Sequence, residues 1–337
     1  MYWLGIETSC DETAVAVVKD GRHVLSSVLS SQERIHGKFG GVVPELACRQ
    51  HTAVISEVVD TALSLAGLDI KELNGVAVTQ GPGLIGALLV GVSFAKALAY
   101  TGEFPLLGVD HLEGHIAAVH LENRDLDLPA VAIVVSGGHT NLYYLSADGS
   151  RTLLGQTADD AAGEAFDKGA KMLGLPFPGG PSIDKIARSG DGSKIRFPRP
   201  SLRSDSLDMS FSGLKTSLRY YLERHGRPDA HAHELANIAA AYQQAIVDVL
   251  VGKTISAAER YRARSVFMTG GVAANSALRK QMDQACRERG LTLIVPSPPY
   301  CTDNGAMIAA AAYIRFKAGG EFPLGMKPNL STMLGVV

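Results

Sequence analysis

The chain has 337 residues with 46% hydrophobic and 20% charged residues, a composition that builds a large buried core and excludes a disordered chain. Lys+Arg minus Asp+Glu is 32 − 34 = −2, which excludes a polycationic nucleic-acid binder; any contact with nucleic acid must come from a local basic patch or a partner. The amino terminus lacks the basic and apolar regions of a secretory signal, and the four cysteines show no C-x-x-C pairing, which suits free thiols in the cytoplasm.

In chain order, apolar runs predict strands over Tyr2–Ile6, Ala14–Val18 and Val24–Leu29, the first two flanking the polar turn Glu7-Thr8-Ser9-Cys10-Asp11-Glu12-Thr13. A helix follows over about Pro44–Ala66, with Pro44 suited to its first turn and Gly67 as its stop. The least charged stretch, Leu73–Ala95, reads as a strand (Gly75–Thr79), the turn Gly81-Pro82-Gly83 and a buried helix ending near Gly102, with no membrane span. Leu106–Val109 is a strand and His111–Leu121 a helix.

The same order then recurs. Strands Val131–Val135, Asn141–Leu145 and Thr152–Leu154 are broken by Ser136-Gly137-Gly138-His139-Thr140 and by Asp148-Gly149. Helices follow over Ala161–Leu173, Pro181–Ala187 and about Glu234–Tyr261, then strand Ser265–Met268 running into Thr269-Gly270-Gly271. Helix Ser276–Arg289, strand Leu291–Val295 and helix Asn304–Phe316 complete the pattern. Two copies of a three-strand meander followed by alternating helices and strands predict a two-lobed α/β fold with ligands at strand ends and helix starts. Asp191–Ser212, rich in Pro, Ser and basic residues, reads as an insertion loop, either solvated or binding an anionic partner.

Three patterns carry chemistry. Glycine lets backbone N–H groups approach phosphate, and Gly81-Pro82-Gly83, Gly137-Gly138 and Gly270-Gly271 each follow a predicted strand, while Gly179-Gly180-Pro181 precedes a helix. None matches a P-loop or a dinucleotide fingerprint. His111 and His115 stand four apart, on one helical face, where both imidazoles can meet one ion. Leu112 occupies the place of a zinc protease's base, which weakens a protease reading. A third ligand is needed, and Asp303 is a candidate for it or for a helix N-cap. Two histidines and a carboxylate suit iron(II) or zinc. The third pattern is acidic: Asp11-Glu12 with Glu7 nearby, suited to Mg²⁺ or to orienting a reacting group, or simply a solvated turn. Asp160, Glu164 and Asp167 fall on one helical face that either holds sugar hydroxyls or faces water. Nothing beside Cys10 would lower its pKa, and no nucleophile–base pair is evident.

These residues resemble one family along nearly the whole chain, from Gly5 to about Gly319. The matching motifs run in order: Gly5–Thr13, Gly40–Ala47, Gly81–Leu84, His111–His115, Ser136–Thr140, Asp160–Lys168, Phe211–Thr216, Gly270–Asn275 and Cys301–Met307. The family is the bacterial tRNA N6-adenosine threonylcarbamoyltransferases (TsaD), earlier labelled O-sialoglycoprotein endopeptidases. The resemblance implies the actin-like ATPase fold (ASKHA, ribonuclease H-like), two duplicated lobes with a central nucleotide cleft. The lobes would be 1–125 plus 303–325, and 126–302 with the insertion near 191–212. It implies transfer of threonylcarbamoyl from threonylcarbamoyl-AMP to N6 of adenosine 37 in tRNAs reading codons that begin with A. Site residues carry over as His111, His115 and Asp303 for one Fe²⁺ (zinc being the other fit), and Val134, Val135, Ser136, Gly137 and Gly138 for the adenylate. Asp167, Gly180 and Asp184 would hold its ribose and nearby groups, Asn275 the nucleotide, and Asp11 and Glu12 would serve catalysis. Mg²⁺ with nucleotide, tRNA, and the partner proteins TsaB and TsaE complete the expectation. A basic surface around Lys194, Arg196, Arg199, Arg203, Lys215 and Arg219 would supply part of the tRNA contact. A phosphotransferase of the same fold, or a nucleotide-binding regulator without turnover, would share much of this pattern.

Overall fold

The structure, a computed structural model, describes residues 1–122, 126–199, 206–228, 233–319 and 325–329. Contacts divide the chain into two units, Met1–Leu126 with Pro296–Val337, and Asp127–Val295.

In the first unit, β1 (Tyr2–Glu7), β2 (Glu12–Lys19) and β3 (His23–Ser31) form an antiparallel meander. The short α1 (Glu33–His36) and the long α2 (Pro44–Ala66) follow, then β4 (Gly75–Gly81), α3 (Ile85–Gly102), β5 (Leu106–Asp110) and α4 (His111–Ala117). The sheet order is β3-β2-β1-β4-β5, with β1, β4 and β5 parallel. In the second unit, β6 (Ala130–Val135), β7 (Thr140–Leu145) and β8 (Arg151–Gln156) repeat the meander. Helices α5 (Ala162–Leu173), α6 (Gly179–Ala187), α7 (Ser212–His225) and α8 (His233–Arg260) follow, then β9 (Ser265–Thr269), α9 (Ser276–Arg287) and β10 (Thr292–Ile294). The order is β10-β9-β6-β7-β8, with β6, β9 and β10 parallel. The predicted duplication is therefore present in the pairing itself: meander, then two parallel strands on the other side of the first. The one-turn α10 (Pro298–Cys301) and α11 (Gly305–Lys317) return the chain to the first unit.

Buried runs on β1, β2, β4 and β6 explain why these strands read as near-continuous apolar stretches: both faces are covered. Leu4, Ile6, Val15, Val17, Val76 and Val78 pack toward α2 and α3, while Trp3, Ala16, Val18 and Ala77 pack toward α11.

Four expectations change. Helix α3 is not simply buried: Ile85, Leu89 and Tyr100 are exposed, leaving an apolar stripe facing outward. Helices α3 and α8 both have the length and apolarity of a membrane span, but most of α8 is core of the second unit. The 191–212 stretch is no free solvated loop where it is described. Phe197, Leu207, Met209 and Phe211 are buried, and Met209 bridges Thr157, so apolar side chains anchor it; Pro200 and Arg203 lie outside the described residues. The motif Phe211–Thr216 then opens α7, a helix absent from the sequence reading because only Leu214 and Leu218 along it are buried, too few to print a periodic stripe. Helix α6 starts at Gly179 rather than at Pro181, which takes a position inside the first turn.

Candidate metal centre and nucleotide residues

The centre begins with close packing of small residues. A Cβ on Gly5 would lie 2.1 Å from the Gly305 carbonyl oxygen and 2.7 Å from the Ala309 nitrogen, so β1 and the start of α11 touch backbone to backbone. Ala306, Ala309 and Ala310 continue that contact along α11. Gly114, between the two histidines, does the same for α4: a Cβ there would meet Ile308 at 2.8 Å. These approaches carry Asp303, two residues before α11, to the histidines of α4.

Two caps fix the orientation. Asp110 caps α4, its carboxylate accepting from Leu112 N at 2.9 Å and Glu113 N at 3.2 Å, so both histidines start on a held turn. Asn304 caps α11 by accepting from Met307 N at 2.8 Å. The choice left open for Asp303 is thereby decided: its neighbour takes the cap and Asp303 turns to the histidines.

His111 Nε2 lies 3.5 Å and His115 Nε2 3.2 Å from Asp303 Oδ1. The rings meet edge to face, centroids 4.7 Å apart. One ligand atom from each of His111, His115 and Asp303 falls within 4.8 Å of the others. His115 is fully buried, yet apart from the approach of Nε2 to Asp303 neither ring nitrogen has a hydrogen-bond partner among the described residues. A buried imidazole left unpaired is costly, and a cation taking a ring lone pair removes that cost. The donor set of two imidazoles and one carboxylate fits iron(II) or zinc.

Glu7, at the end of β1, is completely buried and contacts His111 Nδ1 at 3.0 Å. Its other acceptor positions take Ser9 N–H at 2.5 Å and the Thr79 hydroxyl. Sequence reasoning counted Glu7 only as a neighbour of the acidic turn. The available signal was a carboxylate closing an apolar strand, which demands partners once buried.

Electrostatics follow from this crowding. Burial pulls the His111 imidazole down, but the Asp303 and Glu7 carboxylates outweigh it and push the pKa up to about 9. Burial pushes Glu7 up, and the His111 charge and hydrogen bond outweigh it, leaving that carboxyl below its ordinary value. Glu12 has no such cation: burial, then Asp303, Asp11 and Glu7, push it up to about 8. Asp11 accepts Gln32 N–H at its backbone carbonyl, 3.1 Å away. The neighbouring Cys10 carbonyl accepts from His51 Nε2 at 3.0 Å, and the Thr13 hydroxyl meets Nδ1 of that ring at 2.7 Å. The turn carrying Asp11 and Glu12 is thus pinned at consecutive carbonyls. Burial, Asp11 and Asp303 hold the Cys10 thiol far above its ordinary value, so it is no nucleophile.

The second unit places its candidates around glycine turns. Val134 and Val135 end β6, fully buried, and Ser136-Gly137-Gly138 turns the chain. Among the described residues nothing stands within 4 Å of a Cβ built on Gly137 or Gly138, so there is room on that side of the turn. By contrast, a Cβ on Gly163, at the start of α5, would lie 2.5 Å from Ser136 O, and one on Gly270 (φ +92°) 2.3 Å from Val135 O. The start of α5 and the end of β9 therefore press against this turn.

The acidic face of α5 does not survive as one stripe. Asp160 precedes the helix, and Lys168 pairs with it at 2.7 Å and with Glu164 at 2.8 Å. Asp167 instead accepts Gly179 N–H at 2.7 Å, at the start of α6 beside Gly180. Asp184 accepts from Ser276 Oγ at 2.7 Å and pairs with Arg188 at 2.8 Å. Asn275 caps α9, accepting from Leu278 N at 3.0 Å while donating to Gln243 Oε1 at 2.7 Å. Asp159, not singled out from sequence, anchors the start of α7 through Ser210, Phe211 N and Ser212. The basic surface is thinner than expected: Arg199 is tied to Asp248 at 2.9 Å and Arg219 approaches Glu223 at 3.6 Å. Lys194, Arg196 and Lys215 remain exposed, while Arg203 lies outside the described residues.

Residues 23–310 match the family model described as TsaD, tRNA N6-adenosine threonylcarbamoyltransferase. The chain belongs to that family. It is 54% identical to the tRNA N6-adenosine threonylcarbamoyltransferase of Syntrophus aciditrophicus over 309 residues, covering 92% of this chain and 90% of that protein. The Moorella thermoacetica protein of the same name is 52% identical, with 96% and 94% covered. Among solved structures, the activator of the 2-hydroxyisocaproyl-CoA dehydratase from Clostridium difficile, with bound ADPNP, superposes with a TM-score of 0.54. It is 17% identical, covering 95% of this chain and 97% of its own, a likeness of fold: the actin-like ATPase fold, as the duplicated sheets require.

Proposed function

We propose that this TsaD-family chain transfers threonylcarbamoyl from threonylcarbamoyl-AMP to N6 of adenosine 37 in tRNAs reading codons that begin with A, releasing AMP. Family membership gives the coarser statement directly: the chain is a tRNA-modifying transferase of the threonylcarbamoyl group. The observation that carries the metal dependence is the triad, in which buried His115 makes no ring hydrogen bond among the described residues and has only the Asp303 carboxylate 3.2 Å from Nε2. His111, His115 and Asp303 would hold one Fe²⁺, or Zn²⁺, per chain; when bound, such an ion supplies Lewis-acid polarisation of a carbonyl.

The protein's own residues suit an already activated donor. AMP is the leaving group, so no covalent enzyme intermediate is required, in keeping with a Cys10 thiol held protonated. The turn Ser136-Gly137-Gly138, with room on the Cβ side of both glycines, suits the adenylate phosphate, and Asp167, Gly180, Asp184 and Asn275 its ribose and base. Mg²⁺ accompanies nucleotide in this reading. Asp11 and Glu12 serve catalysis from a pinned turn, with Glu12, protonated up to about pH 8, placed to hold or deliver a proton. We assign the two units to the two lobes of the fold.

tRNA affinity would need help, because the net charge is −2 and the exposed basic set is small. The exposed Ile85, Leu89 and Tyr100 on α3 support a protein partner, in the family's terms TsaB, with TsaE as the further component. Cytoplasmic location follows the tRNA substrate.

The test is a transfer assay with tRNA and threonylcarbamoyl-AMP, with and without TsaB and TsaE. Transfer by wild type and its loss in His111→Ala support the reading. Mg²⁺-dependent turnover of ATP alone, without transfer and indifferent to His111, would favour a phosphotransferase of the same fold.

A further inference from the structure

Glu7 is the most deeply buried charge near the triad, and the ligand set does not include it. Its two oxygens are differently employed. Oε1 accepts the Ser9 N–H at 2.5 Å; Oε2 takes the Thr79 hydroxyl and faces His111 Nδ1 at 3.0 Å. Both oxygens are thus acceptors toward groups on a turn, a strand and a helix, and the carboxylate cannot rotate without breaking at least two of these bonds. An imidazole has one proton to place when neutral, and the hydrogen bond at one nitrogen decides which one carries it.

We propose that Glu7 is a positioning residue for the triad: by accepting from Nδ1–H of His111 it keeps the ring proton there and turns the Nε2 lone pair toward Asp303 and His115. This inference rests on the metal reading of the triad given above. Charge supports it independently. Glu7 and Asp303 bring two carboxylates to the two imidazoles, the complement of a divalent cation. Among the described residues His115 has no counterpart to Glu7, since neither of its ring nitrogens is hydrogen-bonded there. Of the two imidazoles, His111 is therefore the one whose ring orientation and tautomer are set in advance.

Glu7→Gln distinguishes this role from plain support of the fold. The Ser9 N–H can only donate, so the amide oxygen must stay with it. The amide NH₂ then faces His111 Nδ1, which has to accept, and the ring proton moves to Nε2, the atom that should bind metal. Thr79 tolerates either partner because its hydroxyl both donates and accepts.

The experiment is equilibrium zinc binding to the metal-free full chain, for wild type, Glu7→Gln and His111→Ala, with thermal unfolding of each metal-free protein. The expected result is zinc affinity about 10–100-fold weaker in Glu7→Gln, the usual effect of losing such an outer-shell partner. Zinc affinity equal to wild type in a folded Glu7→Gln overturns the inference while leaving the triad intact. Failure of wild type to bind zinc, or binding unaffected by His111→Ala, overturns the triad reading and takes this inference with it. Should Glu7→Gln not fold, the zinc-loaded wild type with ¹⁵N-labelled histidine decides: a protonated, hydrogen-bonded His111 Nδ1 upholds the assignment, and a deprotonated Nδ1 overturns it.

Discussion

The two sheets share strand order and direction, yet they end in opposite chemistry. β1 closes on a buried carboxylate, Glu7, and leads into Thr8-Ser9-Cys10-Asp11-Glu12; β6 closes on Val135 and leads into Ser136-Gly137-Gly138. The neighbouring parallel strands each carry a buried threonine near their ends. Thr79 on β4 donates to Glu7, whereas Thr269 on β9 has a buried hydroxyl without a hydrogen-bond partner among the described residues. One unit thus places side-chain charge and imidazoles at its strand ends, the other glycines. A duplicated scaffold fixes where the turns fall; the residues at the turns set the chemistry each can offer.

This contrast can be broken at either end. The largest effect is expected in the first unit. His115→Ala should remove the bound metal and lower transfer by about 100-fold or more, since Lewis-acid help is worth several kcal/mol. Metal content by elemental analysis and single-turnover transfer check it, and retained metal would show that the ion sits elsewhere.

In the second unit, Gly270→Ala and Gly137→Ala should separate. At Gly270 the left-handed φ and the Val135 carbonyl 2.3 Å away make any Cβ costly, by roughly 1–3 kcal/mol of stability. At Gly137 the space is open, so the same change should leave unfolding within about 0.5 kcal/mol of wild type and weaken only adenylate binding. Denaturant midpoints and AMP affinity read the two apart; equal losses of stability would contradict the open turn.

The acidic turn gives a pH signature. Glu12 titrates at about 8 in the fold against 4.5 for an unperturbed glutamate, because of burial and then the Asp303, Asp11 and Glu7 charges. Between these values the folded state binds more protons than the unfolded state, so this group lowers stability as pH rises from about 4.5 to about 8. Metal-free Glu12→Gln should therefore match wild type in stability at pH 4 and exceed it by at least ~1 kcal/mol at pH 8. A constant difference across that range would remove Glu12 from the buried cluster. The smallest effect concerns thiols: Cys10, held protonated by burial and by Asp11 and Asp303, should alkylate more slowly than wild-type-folded Cys48 at pH 8, as peptide mapping would show.

Much of this was legible in the residues. The meander–helix–strand order, repeated, foretells both sheets, because buried parallel strands print as apolar runs and their turns as glycine or polar clusters. The i, i+4 histidines are a local signal and needed only a helix to meet. Asp303 was ambiguous because Asp and Asn both cap helices, and the adjacent Asn304 settles the competition only in three dimensions. Glu7 escaped notice because its partners Thr79 and His111 are 72 and 104 residues away, beyond any local pattern. The acidic face of α5 misled for the converse reason: even spacing along a helix does not reveal that Asp160 lies before its start and that Lys168 takes two of its three carboxylates.

The central claim is that threonylcarbamoyl transfer depends on a metal held by His111, His115 and Asp303. It is tested most directly by stripping wild-type protein with a chelator and measuring transfer to tRNA before and after restoring Fe²⁺ or Zn²⁺, each with its partner proteins. The account predicts that transfer is lost on stripping and returns with about one ion per chain. Transfer at the wild-type rate by fully metal-free protein would contradict it.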